Sequence, residues 1–166
     1  MGGGHPGPGH DERGGAEPVS TPCVLAIDPG TNESGWVYFF GGKVIGAGVM
    51  ANDDVLAMVA ESAADILAIE RFEARGMAIG DDSVVTILWT GRFVQAWRSP
   101  KSVRLVKRSQ VKSYLCGTQK AKDANIRAAL IDNIGPPGKK SAPGPTYGVS
   151  SHAWAALGVA VTAVAA

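Results

Sequence analysis

Apolar residues along this chain come in short runs that end on acids or turn residues. VLAID, residues 24–28, places Asp28 behind four apolar positions; a Pro-Gly turn follows, and GWVYFF, residues 35–40, resumes the apolar pattern. Runs this short, bounded by turn chemistry, read as strands buried on both faces. Residues 43–50 make a third strand, and Gly41-Gly42 before it is a hairpin signal. Asn52 is placed to cap a helix running to about residue 63. DILAIE, residues 65–70, is again a short strand ending in an acid. From residue 79 to 97 the period changes, with Val84, Val85, Leu88, Trp89, Phe93 and Trp97 at helical spacing. Ser99-Pro100 stops that helix, residues 102–106 give a fifth strand, and helices are expected at about 109–114, 119–133 and 151–165. Residues 135–146, rich in Gly, Pro and Lys, read as a mobile loop.

Three strands in hairpin order, then strand and helix alternating, predict an α/β fold: a five-stranded mixed sheet flanked by helices. In that layout Asp28 and Glu70 close two strands that can lie side by side, and both carboxylates project from one end of the sheet. A carboxylate at the rim of a core needs a cation or donors to offset its desolvation. Asp-Pro-Gly is equally good turn chemistry, so on this segment alone Asp28 reads as a site residue or as a turn residue.

Composition divides the chain. The first twenty residues hold seven Gly and three Pro with no apolar periodicity, which predicts a disordered tail; no basic start leads into an apolar core, so it is not expected to be a secretion signal. Residues 21–166 suit one domain. Cys23 and Cys116 have no CxxC pairing, which fits a reducing, cytoplasmic setting without a disulfide framework or a zinc site. The apolar run 153–166 is fourteen residues, short of the roughly 20 that a membrane span needs. No membrane association is expected.

The net charge of +1 conceals an asymmetry. Between Asp82 and Asp123 there is no acid, while the interval carries Arg92, Arg98, Lys101, Arg104, Lys107, Arg108, Lys112, Lys120 and Lys122. Such a block suits a polyanionic partner, although charge runs are commonly just solvated faces.

Taken together, the motifs resemble RuvC-type Holliday junction resolvases of the ribonuclease H-like superfamily. IDPGTNESGW is similar to their first motif, AIE ending in Glu70 to the second, and SHAWAALGVA to the C-terminal helix motif. RGMAIG, WTGRF, AKDANIRAALID and PGPTYGVSSHAWAAL resemble the phage-encoded branch, and the likeness runs over about residues 24–163. The resemblance implies a ribonuclease H-like fold, a homodimer, and divalent-metal cleavage of phosphodiesters in branched DNA such as a four-way junction. It implies Mg²⁺ or Mn²⁺ as cofactor, two ions about 3.5–4 Å apart that clamp the scissile phosphate, and no small-molecule cofactor. Asp28 and Glu70 match the first two metal-binding acids, and His152 falls where the last helix places its third ligand. Ala155 departs from the pattern, because many cellular members carry an acid there.

His152 is the only histidine beyond the tail, and it opens a helix behind Ser150 and Ser151. A helix N-terminus favours a neutral ring, which is the form that binds metal. Asp123 has two readings, an early-turn acid complementing a helix dipole or a fourth member of the metal cage. Lys107, Arg108, Lys112, Lys120 and Lys122, with Arg75 from the run RGMAIG, are the expected phosphate contacts. Phe72, just past Glu70, reads as a junction wedge or as core. Three rivals stand beside this reading. An actin-like nucleotide site is disfavoured because it needs a second phosphate loop and a second domain. The others are a related nuclease acting on flaps or RNA, and a catalytically dead junction-binding protein, the last motivated by Ala155.

Overall fold

The computed structural model describes residues 1–3 and 20–166; most of the expected disordered tail, residues 4–19, lies outside the described residues. Strands β1 (Val24–Asp28), β2 (Glu33–Phe40), β3 (Lys43–Ala51), β4 (Ile66–Arg71) and β5 (Val103–Lys107) form one sheet in the order β3-β2-β1-β4-β5. β1 and β3 run antiparallel to β2, whereas β1, β4 and β5 are parallel to one another. This is the mixed five-stranded sheet expected from the alternation of runs. Gly41 and Gly42, at φ 58° and 77°, make the hairpin turn that only residues tolerant of positive φ adopt readily.

Both faces of the sheet are covered. Period-two alternation sends Val24 and Ala26 into one core and Leu25 and Ile27 into the other. The first core is closed by α3 (Arg108–Cys116), α4 (Asp123–Ile134) and above all α5 (Ala153–Ala165), whose Ala156, Leu157, Val159 and Ala160 are fully buried. Burial on nearly every side of α5 explains a helix that is apolar all round. It is also too short to be a span: no described helix is long and apolar enough to cross a membrane. The second core is closed by α1 (Asn52–Glu61) and α2 (Asp81–Ala96), which contribute Val55, Val59 and Phe93.

Three expectations are corrected, and one is sharpened. Asn52 does not cap α1; it is buried, accepts from the Ser34 hydroxyl at 2.6 Å and donates to the Gly30 carbonyl at 3.0 Å. It pins the turn that follows Asp28. The apolar stripe of α2 is not all core: Phe93 is buried, and so is Trp97 just beyond the helix, but Val84, Val85 and Leu88 are 45%, 37% and 63% exposed. Periodicity identifies an apolar face without saying what covers it. Helix α4 begins at Asp123 rather than near residue 119, because Gly117 ends α3 in the left-handed region at φ 68° and a turn intervenes. The segment 135–146 carries a two-stranded hairpin, β6 (Gly138–Lys139) with β7 (Ala142–Pro143).

Candidate active site

Parallel register brings the acids together. Ile27 pairs with Ile69, so Asp28 and Glu70 occupy the next step on neighbouring strands. Alternation turns both carboxylates toward the side of Ala26 and Ala68, which is the face covered by α5. They lie at the carboxyl ends of β1 and β4, where open α/β sheets place their ligands.

His152 reaches them from the residue just before α5. Its approach depends on Gly35, the β2 partner of Asp28. A Cβ on Gly35 would lie 2.4 Å from the carbonyl carbon and oxygen of His152, a distance no real contact tolerates. The absence of a side chain there lets the start of α5 rest on β2. His152 Nδ1 lies 3.0 Å from Asp28 Oδ2. In the neutral ring this bond fixes the tautomer: Nδ1–H donates, and Nε2 keeps a free lone pair.

Arg108 enters as the first residue of α3, one position beyond the β5 residue that pairs with Arg71. Its guanidinium donates to Glu70 at 3.3 Å and to Asp123 at 2.5 Å, bridging β4 to the start of α4. Glu73 secures the α3 N-terminus by accepting from the Ser109 amide at 3.1 Å and the Ser109 hydroxyl at 2.8 Å. A carboxylate accepting orphan amides at a helix start is favourable. Arg127 and Trp154, stacked at 4.8 Å, add a further wall. These elements enclose an open cavity of about 380 Å³ lined by Asp28, Glu70, Arg108, Asp123, His152 and Ala155, among others.

The electrostatics follow from burial. Desolvation raises the Asp28 carboxyl above its ordinary value, against the hydrogen bond and charge of His152 and the charge of Arg108. Desolvation, reinforced by the charge of Asp28, pushes Glu70 up to about 7, although Arg108 pulls the other way. Asp123 moves down, chiefly through its hydrogen bond from Arg108. Two carboxylates that resist ionising side by side call for positive charge.

Asp28, Glu70, His152, Asp123 and Arg108 are thus brought to one cavity. Lys107, Lys112, Lys120, Lys122 and Arg75 do not line it. Lys120 and Lys122 are exposed on the turn into α4, Lys112 lies close enough to lower Asp123, and exposed Arg75 is 3.4 Å from Glu73. Nor is the basic block one surface. Arg98 donates to the Ser62 carbonyl at 2.7 Å and to that of Ala64, Arg104 donates to the Ala163 carbonyl at the end of α5, and Arg92 stacks on Trp89 at 3.9 Å. Phe72 lines a separate apolar pocket with Ile87, Val94 and Leu105. The sequence reading did not foresee Glu73 or the place of Arg108 among the acids. The available signal was positional: Val106 pairs with Glu70, so Arg108, two residues on and just past the end of β5, falls on the same face of the sheet.

A mixed five-stranded sheet of order β3-β2-β1-β4-β5 with helices on both faces is a ribonuclease H-like fold. Among solved structures, the chain is similar to Thermus thermophilus RuvC in complex with a Holliday junction substrate, at 19% identity and TM-score 0.64, over 85% of this chain and 92% of that one. A second Thermus thermophilus RuvC structure aligns at 20% identity and TM-score 0.59, over 84% of this chain and 91% of that one. The fold is therefore that of RuvC. No protein-family model matches the chain, and no curated protein sequence does.

The donor set can be tested against a divalent cation. Two desolvated carboxylates and an imidazole with a free nitrogen are chemically suited to Mg²⁺ or Mn²⁺. Among the described residues, however, no three His, Cys, Asp or Glu side chains converge on one point as they stand. Asp28 is engaged by His152, and Glu70 and Asp123 by Arg108. The chemistry fits a metal, and its binding requires side-chain rearrangement.

Proposed function

We propose that this protein is a metal-dependent endonuclease that cleaves phosphodiesters in branched DNA, resolving four-way junctions, and that it belongs to the phage-encoded branch its sequence runs resemble. One observation carries the reading: two desolvated carboxylates at adjacent strand ends share a cavity with an imidazole, in the fold of a RuvC solved with a Holliday junction substrate.

Asp28, Glu70 and His152 are the residues that would hold Mg²⁺ or Mn²⁺, with two ions per site as the family resemblance implies. Bound there, divalent ions supply a water nucleophile at neutral pH and charge stabilisation for the leaving oxygen. The chain's own contribution is placement. Strand register sets the two acids side by side, and the Asp28 bond orients the His152 ring so that, in the neutral ring, Nε2 presents its lone pair. Burial of the sheet end partly desolvates the carboxylates, which strengthens their pull on any cation. Lys107, Lys112, Lys120, Lys122 and Arg75 would grip phosphates around the cavity without reading bases. The exposed apolar face of α2 gives a second copy of the chain a surface to cover, in keeping with a homodimer.

A second reading has its own support. Ala155 lines the cavity where an acid would strengthen the metal site, which favours a junction-binding protein without cleavage. Synthetic four-way, flap and linear DNA, incubated with Mg²⁺ and with Mn²⁺, separates the two. The nuclease should cut the junction, and Asp28→Asn should reduce cutting by about 100-fold or more while binding stays intact or tightens, because removing a site charge also eases phosphate repulsion. Junction binding without cleavage in either metal would leave the binding protein. Preferential cutting of flaps or RNA would give the related nuclease.

A further inference from the structure

We propose that Arg108 is the resident counter-ion of the acid pair, displaced from Glu70 when a divalent cation enters, and that Asp123 is its anchor and not a metal ligand. The inference deepens the nuclease reading and rests on it.

Geometry carries the argument. Arg108 and Glu70 are 20% and 19% exposed, so their 3.3 Å contact sits at the cavity wall, whereas Asp123 is 83% exposed at the cavity mouth. The same guanidinium thus spans from the floor to the rim. The rim contact is the shorter, at 2.5 Å. Arginine's planar fork suits this double engagement, since two carboxylates can be held through different N–H groups. The α3 backbone that carries Arg108 is itself fixed, because Glu73 holds the Ser109 amide and hydroxyl. Only the side chain is left to move.

A divalent cation on Asp28 and Glu70 needs Glu70 oxygens that Arg108 now engages, and two positive centres on one carboxylate repel. The arginine thus occupies, on Glu70, the place a cation would take. Once Glu70 is released, the bond to Asp123 keeps the guanidinium at the mouth instead of letting it swing into solvent. Asp123 opens α4 at the cavity mouth, 83% exposed, with its carboxylate bound to Arg108 and not to Asp28 or His152. Asp123 therefore acts through Arg108, as a positioning residue.

The test is Mn²⁺ binding by calorimetry at constant pH, without DNA, on the full chain. Arg108→Gln should bind Mn²⁺ about tenfold more tightly than the unmodified protein, the size of effect that one nearby charge commonly has on a carboxylate. Arg108→Lys keeps the charge on the same helix and should stay within about twofold of the unmodified protein by the same reasoning. Circular dichroism checks that each variant is folded, and Arg108→Met, which also removes the charge and carries the same expected tightening, replaces glutamine if glutamine is not tolerated. Asp123→Asn is compared in both backgrounds as a double-mutant cycle. With Arg108→Gln already present it should change Mn²⁺ affinity by less than about twofold, since coupled residues lose their effect together. A further loss of about tenfold in that background would make Asp123 a ligand and overturn its role as anchor. Unchanged or weaker binding by Arg108→Gln, or equal tightening by Arg108→Lys, would overturn the counter-ion. Failure of the unmodified protein to bind Mn²⁺ at all would instead overturn the nuclease reading on which the inference rests.

Discussion

Glu70 bears on stability as well as chemistry. Its carboxyl is raised from an ordinary value near 4.5 to about 7 in the folded protein, so the folded state holds a proton that the unfolded chain releases earlier. Such a group contributes stability that is fully present below pH 4.5 and is lost as pH rises toward 7. Asp28, raised in the same direction, adds to the trend. Metal-free protein should therefore lose up to about 3 kcal/mol between those limits from Glu70, at 1.36 kcal/mol per unit. Urea melts in EDTA at pH 5 and pH 8 measure the loss, and equal stability at both would show that Glu70 is not desolvated. Mn²⁺ at 100 times its dissociation constant should restore about 2.7 kcal/mol at pH 8.

Gly35 is the other decisive residue. Gly35→Ala places a methyl group against the His152 carbonyl, so the start of α5 must shift and carry the ring away from Asp28. Destabilisation of about 1–3 kcal/mol is expected, as for overpacking, together with weakened metal binding. A thermal melt paired with a Mn²⁺ titration checks both. At this scale Asp28, Glu70 and His152 were legible because a short apolar run ending in an acid, or a lone histidine at a helix start, marks itself. Arg108 was not, since nothing in a run of basic residues says which one turns inward.

Elements were legible to the extent that their burial was periodic. β1 to β5 stand out because each is a bounded apolar run, and their boundaries shift by only one or two residues in the structure. The β6–β7 hairpin, with strands of two residues, is too short to carry a period. Helix α2 shows the opposite limit, having a clear period whose N-terminal half faces outward. If a second copy covers it, Leu88→Glu should convert a dimer to a monomer at micromolar concentration, with little effect on the melting temperature of the monomer. Sedimentation velocity distinguishes the two. A chain that is monomeric before the substitution leaves that face to another role.

Across the whole molecule, charge distribution is the level at which the sequence was most misleading. The nine basic residues between Asp82 and Asp123 look like one patch, yet Arg98 and Arg104 satisfy backbone carbonyls and Arg108 serves the acids. If Arg75, Lys107, Lys112, Lys120 and Lys122 are the phosphate contacts, log K for junction binding should fall with log salt at a slope of about −4.5, from roughly −0.9 per contact. Lys120→Ala with Lys122→Ala should flatten it by up to about 2. Fluorescence anisotropy across a salt series reads the slope, and a value near zero would place these side chains away from DNA.

The position of α5 in the chain has a consequence for the newly made protein. It is translated after every strand it covers, so the part of the sheet face bearing Val24, Ala26 and Ala68 that α5 closes stays uncovered until residues 153–165 are made, whatever α3 and α4 already cover. His152 immediately precedes that helix, and it arrives with the same event. The nascent chain therefore gains its third candidate ligand only as that part of the core closes. Premature termination between residues 70 and 152 yields a product that carries both acids but neither His152 nor the helix that closes the core, a target for proteolysis with no complete site.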